Sequence, residues 1–229
     1  MEIRNWIKNN SETDYKKFSE RLIKTKYKIV GIRVSKLRKF AKELLKKYKI
    51  EALKKLSDDI YEEVMLQGFV VAYYDASIDA KRELIDTYLH KCDCWSLIDS
   101  FASSLKLKEK DYNAGWQMLA DYKSDQLFIK QYPYIERFVI CLSMNLYLND
   151  EYIDEILNYC KKLDDRDYTV KMANAWLLTT AAREYLDKVI DVIIELDEET
   201  LRYFKGKIRD SYMISEDKKE RVKDICIKK

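Results

Sequence analysis

The stretch Ser35-Lys-Leu-Arg-Lys-Phe-Ala-Lys-Glu-Leu-Leu-Lys-Lys-Tyr48 decides the class of this chain. Leu37, Phe40, Ala41, Leu44, Leu45 and Tyr48 recur at the three- and four-residue intervals of one helical face, with charges between them. Ser35, ahead of the first apolar position, suits an N-cap. The period returns at Ile153, Ile156, Leu157 and Cys160, and again at Leu186, Val189, Ile190, Ile193 and Ile194. Between these half-solvated helices stand segments that are apolar on nearly every side, at 64–74, 138–148 and 170–182. A helix of that kind must be covered over most of its surface. Such alternation is what an α-solenoid of stacked antiparallel hairpins needs, because each hairpin buries its face only against its neighbours. The pattern predicts an all-α stack from about residue 35 onward, within one domain over 1–229, with 1–30 forming one or two capping helices. Gly68 falls mid-helix, where it costs about 1 kcal/mol against alanine. Close approach of a neighbouring helix is the expected compensation.

Composition agrees. Four glycines and one proline in 229 residues are too few for the turns of an all-β fold. Hydrophobic residues make up 47%, enough for a sizeable core. With 43 basic and 40 acidic side chains the net charge is only +3, so any nucleic-acid surface must come from local clustering. Cys92, Cys94, Cys141, Cys160 and Cys226 lack both disulfide-framework and zinc spacing, which points to reduced thiols of a cytosolic protein. A single histidine, His90, excludes a multi-histidine metal centre. The N-terminus has no apolar signal core, and Gly68–Tyr74 is far shorter than the roughly 20 residues of a membrane helix, so a soluble protein is expected.

Against this background four residues stand out. Trp95 and Asp99 are four apart and share a helical face, with Asp93 placed to cap the helix that opens near Cys94. Arg137 follows 38 residues after Asp99, and Trp176 follows 39 after that. If a hairpin repeats about every 40 residues, equivalent positions line up on one concave face. Two indoles, a carboxylate and a guanidinium would then serve a flat, cationic ligand carried on a phosphate chain. Each residue also has an ordinary reading: either tryptophan as core, Asp99 as surface. Pro133 suits the first turn of the helix carrying Arg137 and so places this cation near a positive helix end, disfavoured by about 0.3–1 kcal/mol. Two explanations stay open for it: a salt bridge to Glu136 or Asp99, or a phosphate held bidentately.

The chain resembles the AlkD-type alkylpurine DNA glycosylases. The likeness runs through Gly31-Ile-Arg-Val-Ser-Lys-Leu-Arg38, Tyr61-Glu-Glu-Val-Met-Leu-Gln-Gly68, Trp95-Ser-Leu-Ile-Asp-Ser-Phe101, Glu136-Arg-Phe-Val-Ile140, Val170-Lys-Met-Ala-Asn-Ala-Trp176 and Lys207-Ile-Arg-Asp-Ser211, in that order. It implies HEAT-like repeats and a role in base excision repair. It assigns Trp95, Trp176 and Asp99 to a cradle for the lesion-bearing nucleotide and Arg137 to the backbone beside it. Thr179 stands where some members carry a DNA-contacting arginine, and Arg183 is the available substitute.

The residues suit that chemistry. A purine alkylated at a ring nitrogen, such as N3-methyladenine or N7-methylguanine, leaves as a neutral molecule and needs no general acid. Asp99 is then placed to stabilise the positive sugar or orient a water, and the indoles to favour cationic lesions. Lys36, Arg38, Lys39, Lys106, Lys108, Lys171, Lys205, Lys207 and Arg209 are candidates for further backbone contacts. The reading is a monomeric, monofunctional glycosylase on alkylated duplex DNA, with neither metal nor cofactor, in the cytoplasm and on the nucleoid when bound. Its rivals are a non-catalytic HEAT-like protein that binds unusual or branched DNA, and a protein-binding scaffold.

Overall fold

The computed structural model describes residues 2–163 and 166–226. The protein is all-helical, 74% helix, and its described residues form no strand beyond a lone parallel bridge between Lys28 and Ile60. Two compact units divide the chain, residues 1–138 and 139–229.

The first unit holds α1 (Glu2–Asn10), α2 (Thr13–Leu22), α3 (Val34–Tyr48), α4 (Tyr61–Tyr73), α5 (Ile78–Leu89), α6 (Trp95–Ala102), α7 (Tyr112–Ser124) and α8 (Gln126–Gln131), and the opening residues of α9 (Tyr134–Leu146). Helix α4 packs on α3, α5 and α6, and α5 packs on α7. Twelve of the thirteen residues of α4 are buried, which makes it the axis of this unit. On α3, Leu37, Phe40, Ala41 and Leu44 are buried as the periodicity predicts. Ser35 does not cap that helix, however: it starts one residue earlier, behind Arg33, and Ser35 lies in its first turn. Gly68 is explained by contact, since a Cβ there would lie 2.4 Å from the Tyr88 ring of α5.

A buried carboxylate fastens the N-terminal helices to this axis. Glu62 of α4 accepts hydrogen bonds from the backbone N–H groups of Gly31 (2.7 Å), Val30 (3.1 Å) and Ile32 (3.2 Å). Gly31 has φ +88°, and a side chain there would meet Glu12 and Lys16 at 2.6 Å, so only glycine fits. Its carbonyl accepts in turn from the Glu12 N–H at the head of α2, 2.8 Å away. Burial raises the Glu62 pKa, and the three N–H donors oppose that rise without cancelling it.

The second unit holds the rest of α9, then α10 (Ile153–Cys160), α11 (Tyr168–Ile193), α12 (Glu198–Asp210) and α13 (Glu216–Lys223). Helix α11 packs on both α10 and α12, and α12 on α13. Asp167 caps α11 through the Thr169 and Val170 N–H groups at 2.8 and 3.1 Å. The helix bends at Tyr185, whose φ and ψ of −117° and 38° leave the helical region. Asn174, fully buried, donates to the Cys160 carbonyl at the end of α10. Within each unit helices pack on their sequence neighbours, as in an α-solenoid of hairpins.

Candidate functional site

Helix α6 carries the most chemistry in the first unit, and the loop before it sets its position. Asp93 does not cap α6; the cap position is Cys94, without a side-chain bond. The Asp93 carboxylate instead accepts from the Thr25 hydroxyl and the Lys26 N–H, both at 2.7 Å. Tyr27 donates to the Lys91 carbonyl at 2.7 Å, and Lys91 pairs with Asp58 at 2.7 Å. At the second residue of α6, Ser96 bonds the Tyr61 hydroxyl of α4. The loop is thus pinned on both sides. Cys92 and Cys94 within it are buried free thiols whose pKa burial pushes up, Cys94 to about 11, so they are protonated and unreactive at neutral pH.

On this helix Trp95 is 38% exposed, and Asp99, one turn later, keeps 16% of its side chain exposed. Arg137 reaches Asp99 from the first turn of α9. Its Nε donates to Oδ1 at 2.8 Å and an η-nitrogen donates to Oδ2 at 2.7 Å. This is a two-point, fork-to-fork pair with both partners largely buried. It answers how the fold tolerates a cation at a positive helix end. Of the partners open in sequence, Asp99 pairs with Arg137. Phe138, the next residue, stacks on Phe101 of α6 at 5.6 Å, which fixes the start of α9 against α6.

Sequence reasoning missed the wall opposite Trp95. A groove of 160 Å³ runs beside the indole, lined also by Tyr15, Phe18, Leu22, Val34 and Ser100. Phe18 and Leu22, 48% and 53% exposed, form an i, i+4 apolar pair in the otherwise charged α2. That pair was a usable signal. Glu62 was another, as a carboxylate inside an apolar helix.

The basic candidates fall into three groups. Arg38 of α3 lies nearest the α6 pair in the chain of contacts: it donates to the Ser103 hydroxyl at the C-cap of α6, 3.0 Å, and lies over the Phe69 ring. A cation suits that negative helix end. Lys106 is exposed just past α6. Lys36 is held by Glu12 at 2.9 Å, at the other end of α3. In the second unit Trp176 is 39% exposed on α11, with Ala173 and Ala175 buried beside it. On the same helix Arg183 is exposed, while Lys171 is tied to Asp197 and Glu199 at 3.3 and 3.1 Å. Thr179 is buried and returns its hydroxyl to the Ala175 carbonyl, so it offers nothing outward. Lys207 and Arg209 are on α12, where Arg209 pairs with its neighbour Asp210 at 2.8 Å. No helix among the described residues is long and apolar enough to cross a membrane.

An exposed indole, an oriented carboxylate one turn after it and the guanidinium paired with that carboxylate offer a π face, a negative and a positive group within a short stretch of the fold. The family model of the DNA alkylation repair enzymes matches residues 3–205. No curated protein and no solved structure matches the chain. The chain belongs to the DNA alkylation repair enzyme family.

Proposed function

We propose, from membership of that family and from the chemistry on α6, that this protein is a DNA glycosylase. It hydrolyses the N-glycosidic bond of cationic alkylpurines such as N3-methyladenine and N7-methylguanine in duplex DNA, acting as a monomer. The observation that carries the reading is Asp99: a carboxylate held in one orientation, one helical turn behind an exposed tryptophan.

A purine made cationic by alkylation departs neutral, so the reaction asks for no proton donor. It asks for something negative near the sugar, where an oxocarbenium charge develops as the bond breaks. At 4 Å and an effective dielectric near 20, a carboxylate contributes about 4 kcal/mol to such a charge. Asp99 can also orient the attacking water. Trp95 offers its π face to the cationic nucleotide, at about 0.5–2 kcal/mol. Trp176 contributes a second indole in the same role. A neutral base gains from neither effect, so charge is the basis of selectivity. Arg137 exchanges or shares its carboxylate with a backbone phosphate when DNA binds, a trade that guanidinium geometry permits. Arg38, Lys106, Lys36, Lys171, Arg183, Lys207 and Arg209 supply further phosphate contacts, without a base-flipping pocket being required.

The Asp99–Arg137 pair also favours a second reading, in which the acid is structural and the protein binds unusual or branched DNA without excising bases. Incubation of the protein and its Asp99→Asn variant with methylated duplex DNA, followed by measurement of freed N7-methylguanine and N3-methyladenine, separates the two. No release by the wild type eliminates the glycosylase reading. Release that is undiminished in the variant removes Asp99 from the mechanism.

A further inference from the structure

Lys81 is a buried cation that nothing above uses. It lies on the apolar stripe of α5 with Ile78 and Ile85, and only 4% of it is exposed. Its ammonium has three donors but makes a single long bond, 3.4 Å, to the Ala72 carbonyl. Burying a cation with so little compensation is costly. Burial accordingly lowers its pKa, against the pull of Asp75 and Asp111.

The ammonium borders a pocket of about 520 Å³ that Lys42, Lys106 and Lys108 also line. Four lysines and two aspartates, Asp75 and Asp111, line it, and the balance of charge is positive. Lys108 is held by Asp75 at 2.5 Å, and Lys42 lies over the Tyr73 ring. Lys106 is exposed at the mouth. One wall is Ser104, which follows α6 directly and bonds back to the Ser100 carbonyl at 2.7 Å. Ser104 is five residues beyond Asp99, so the pocket lies past the C-terminal end of the helix that carries that carboxylate.

We propose that this pocket is an anion site that takes one phosphate of the DNA strand, with Lys81 at its floor and Lys106 at its mouth. A phosphate there gives the Lys81 ammonium the partner it lacks and fixes the register of the strand relative to Asp99. The inference deepens the glycosylase reading and rests on it for the identity of the polyanion.

The test is the salt dependence of binding to unmodified duplex DNA, followed by fluorescence anisotropy. Each phosphate neutralised contributes about 0.9 to the negative slope of log affinity against log salt. Lys81→Met, which keeps the apolar stem, is expected to flatten the slope by about one, and Lys81→Arg to preserve it. A folded Lys81→Met with the wild-type slope overturns the inference. So does stabilisation of the wild type by inorganic phosphate, absent in Lys81→Met, if the DNA slope is unchanged; the pocket then belongs to free phosphate. Should Lys81→Met fail to fold by circular dichroism, the exposed substitution Lys106→Ala decides, flattening the slope or refuting the site. Base release is read in parallel. A protein that binds duplex with the Lys81-dependent slope and releases no base fails as a glycosylase and leaves the phosphate site standing.

Discussion

Trp95 and Trp176 are exposed to nearly the same extent, 38% and 39%, and the residue one turn later sets them apart. After Trp95 comes Asp99, gripped at two points by Arg137. After Trp176 comes Thr180, whose hydroxyl returns to the Trp176 carbonyl at 3.0 Å. In the proposed reaction both indoles serve as platforms for a flat cation, and Asp99 puts a full charge one turn after the first. A π face attracts a cation by about 0.5–2 kcal/mol, whereas a carboxylate at contact distance is worth about 4 kcal/mol. The difference teaches that, on the proposed reaction, bond breaking depends on Asp99 of the first unit.

The strongest way to break this contrast is Asp99→Asn. The full Coulombic term corresponds to about a thousandfold in rate, and the positive charge of Arg137 trims it. Single-turnover release of N7-methylguanine is expected to fall about a hundredfold; a loss below about threefold would make the first platform equivalent to the second. Next comes Arg137→Met, which leaves Asp99 largely buried without its guanidinium. Removing one partner of such a pair costs about 3 kcal/mol, or roughly 6–12 °C in melting temperature for a chain of this size. Lys171→Met in the second unit breaks contacts to more exposed carboxylates and is expected to cost about 1 kcal/mol or less in the same melt. Equal losses would erase the contrast. Smaller again, Trp95→Ala and Trp176→Ala should each slow release about 2- to 30-fold, and similar values for both would sharpen the picture of matched platforms.

The smallest expected effect is in pH dependence. Burial raises the Glu62 pKa in the folded first unit, so its carboxyl contributes more stability below the unfolded pKa, and that contribution is lost as pH climbs through the folded value. In the second unit burial pushes the Asp197 pKa up, but the Thr200 donors and Lys171 outweigh it and the net shift is downward. Its contribution is present above the unfolded pKa and lost as pH falls through the folded one. Across the acid range the difference in urea midpoint between wild type and variant should therefore fall with rising pH for Glu62→Gln and rise for Asp197→Asn. Slopes of one sign would show that the two carboxyls are in like surroundings.

How much of this was legible in sequence depended on range. The stripe from Leu37 to Leu44 and the close approach at Gly68 follow from helical period and from the cost of a mid-helix glycine, both local matters. Ser35 and Asp93 misled because a cap is decided by where the backbone leaves the helix and by what else competes for the side chain. Thr25 and Lys26, 68 and 67 residues away, claimed Asp93. The choice of Asp99 for Arg137 spans 38 residues and could not be made from spacing alone. Lys81 left a readable trace, a lysine in register with Ile78, Ile85 and Leu89, yet its significance depended on a pocket assembled from three helices' ends and a loop.

The Glu62 clasp has a reach beyond its own hydrogen bonds. It holds residues 30–32, those residues hold the head of α2 through Glu12, and α2 supplies Phe18 and Leu22 opposite Trp95. A carboxylate that itself lines the groove beside the indole thus also ties down the helix on the groove's other side. Its three amide donors would exchange hydrogen as slowly as the axis helix itself, and loosening them would widen the cleft before the fold gave way.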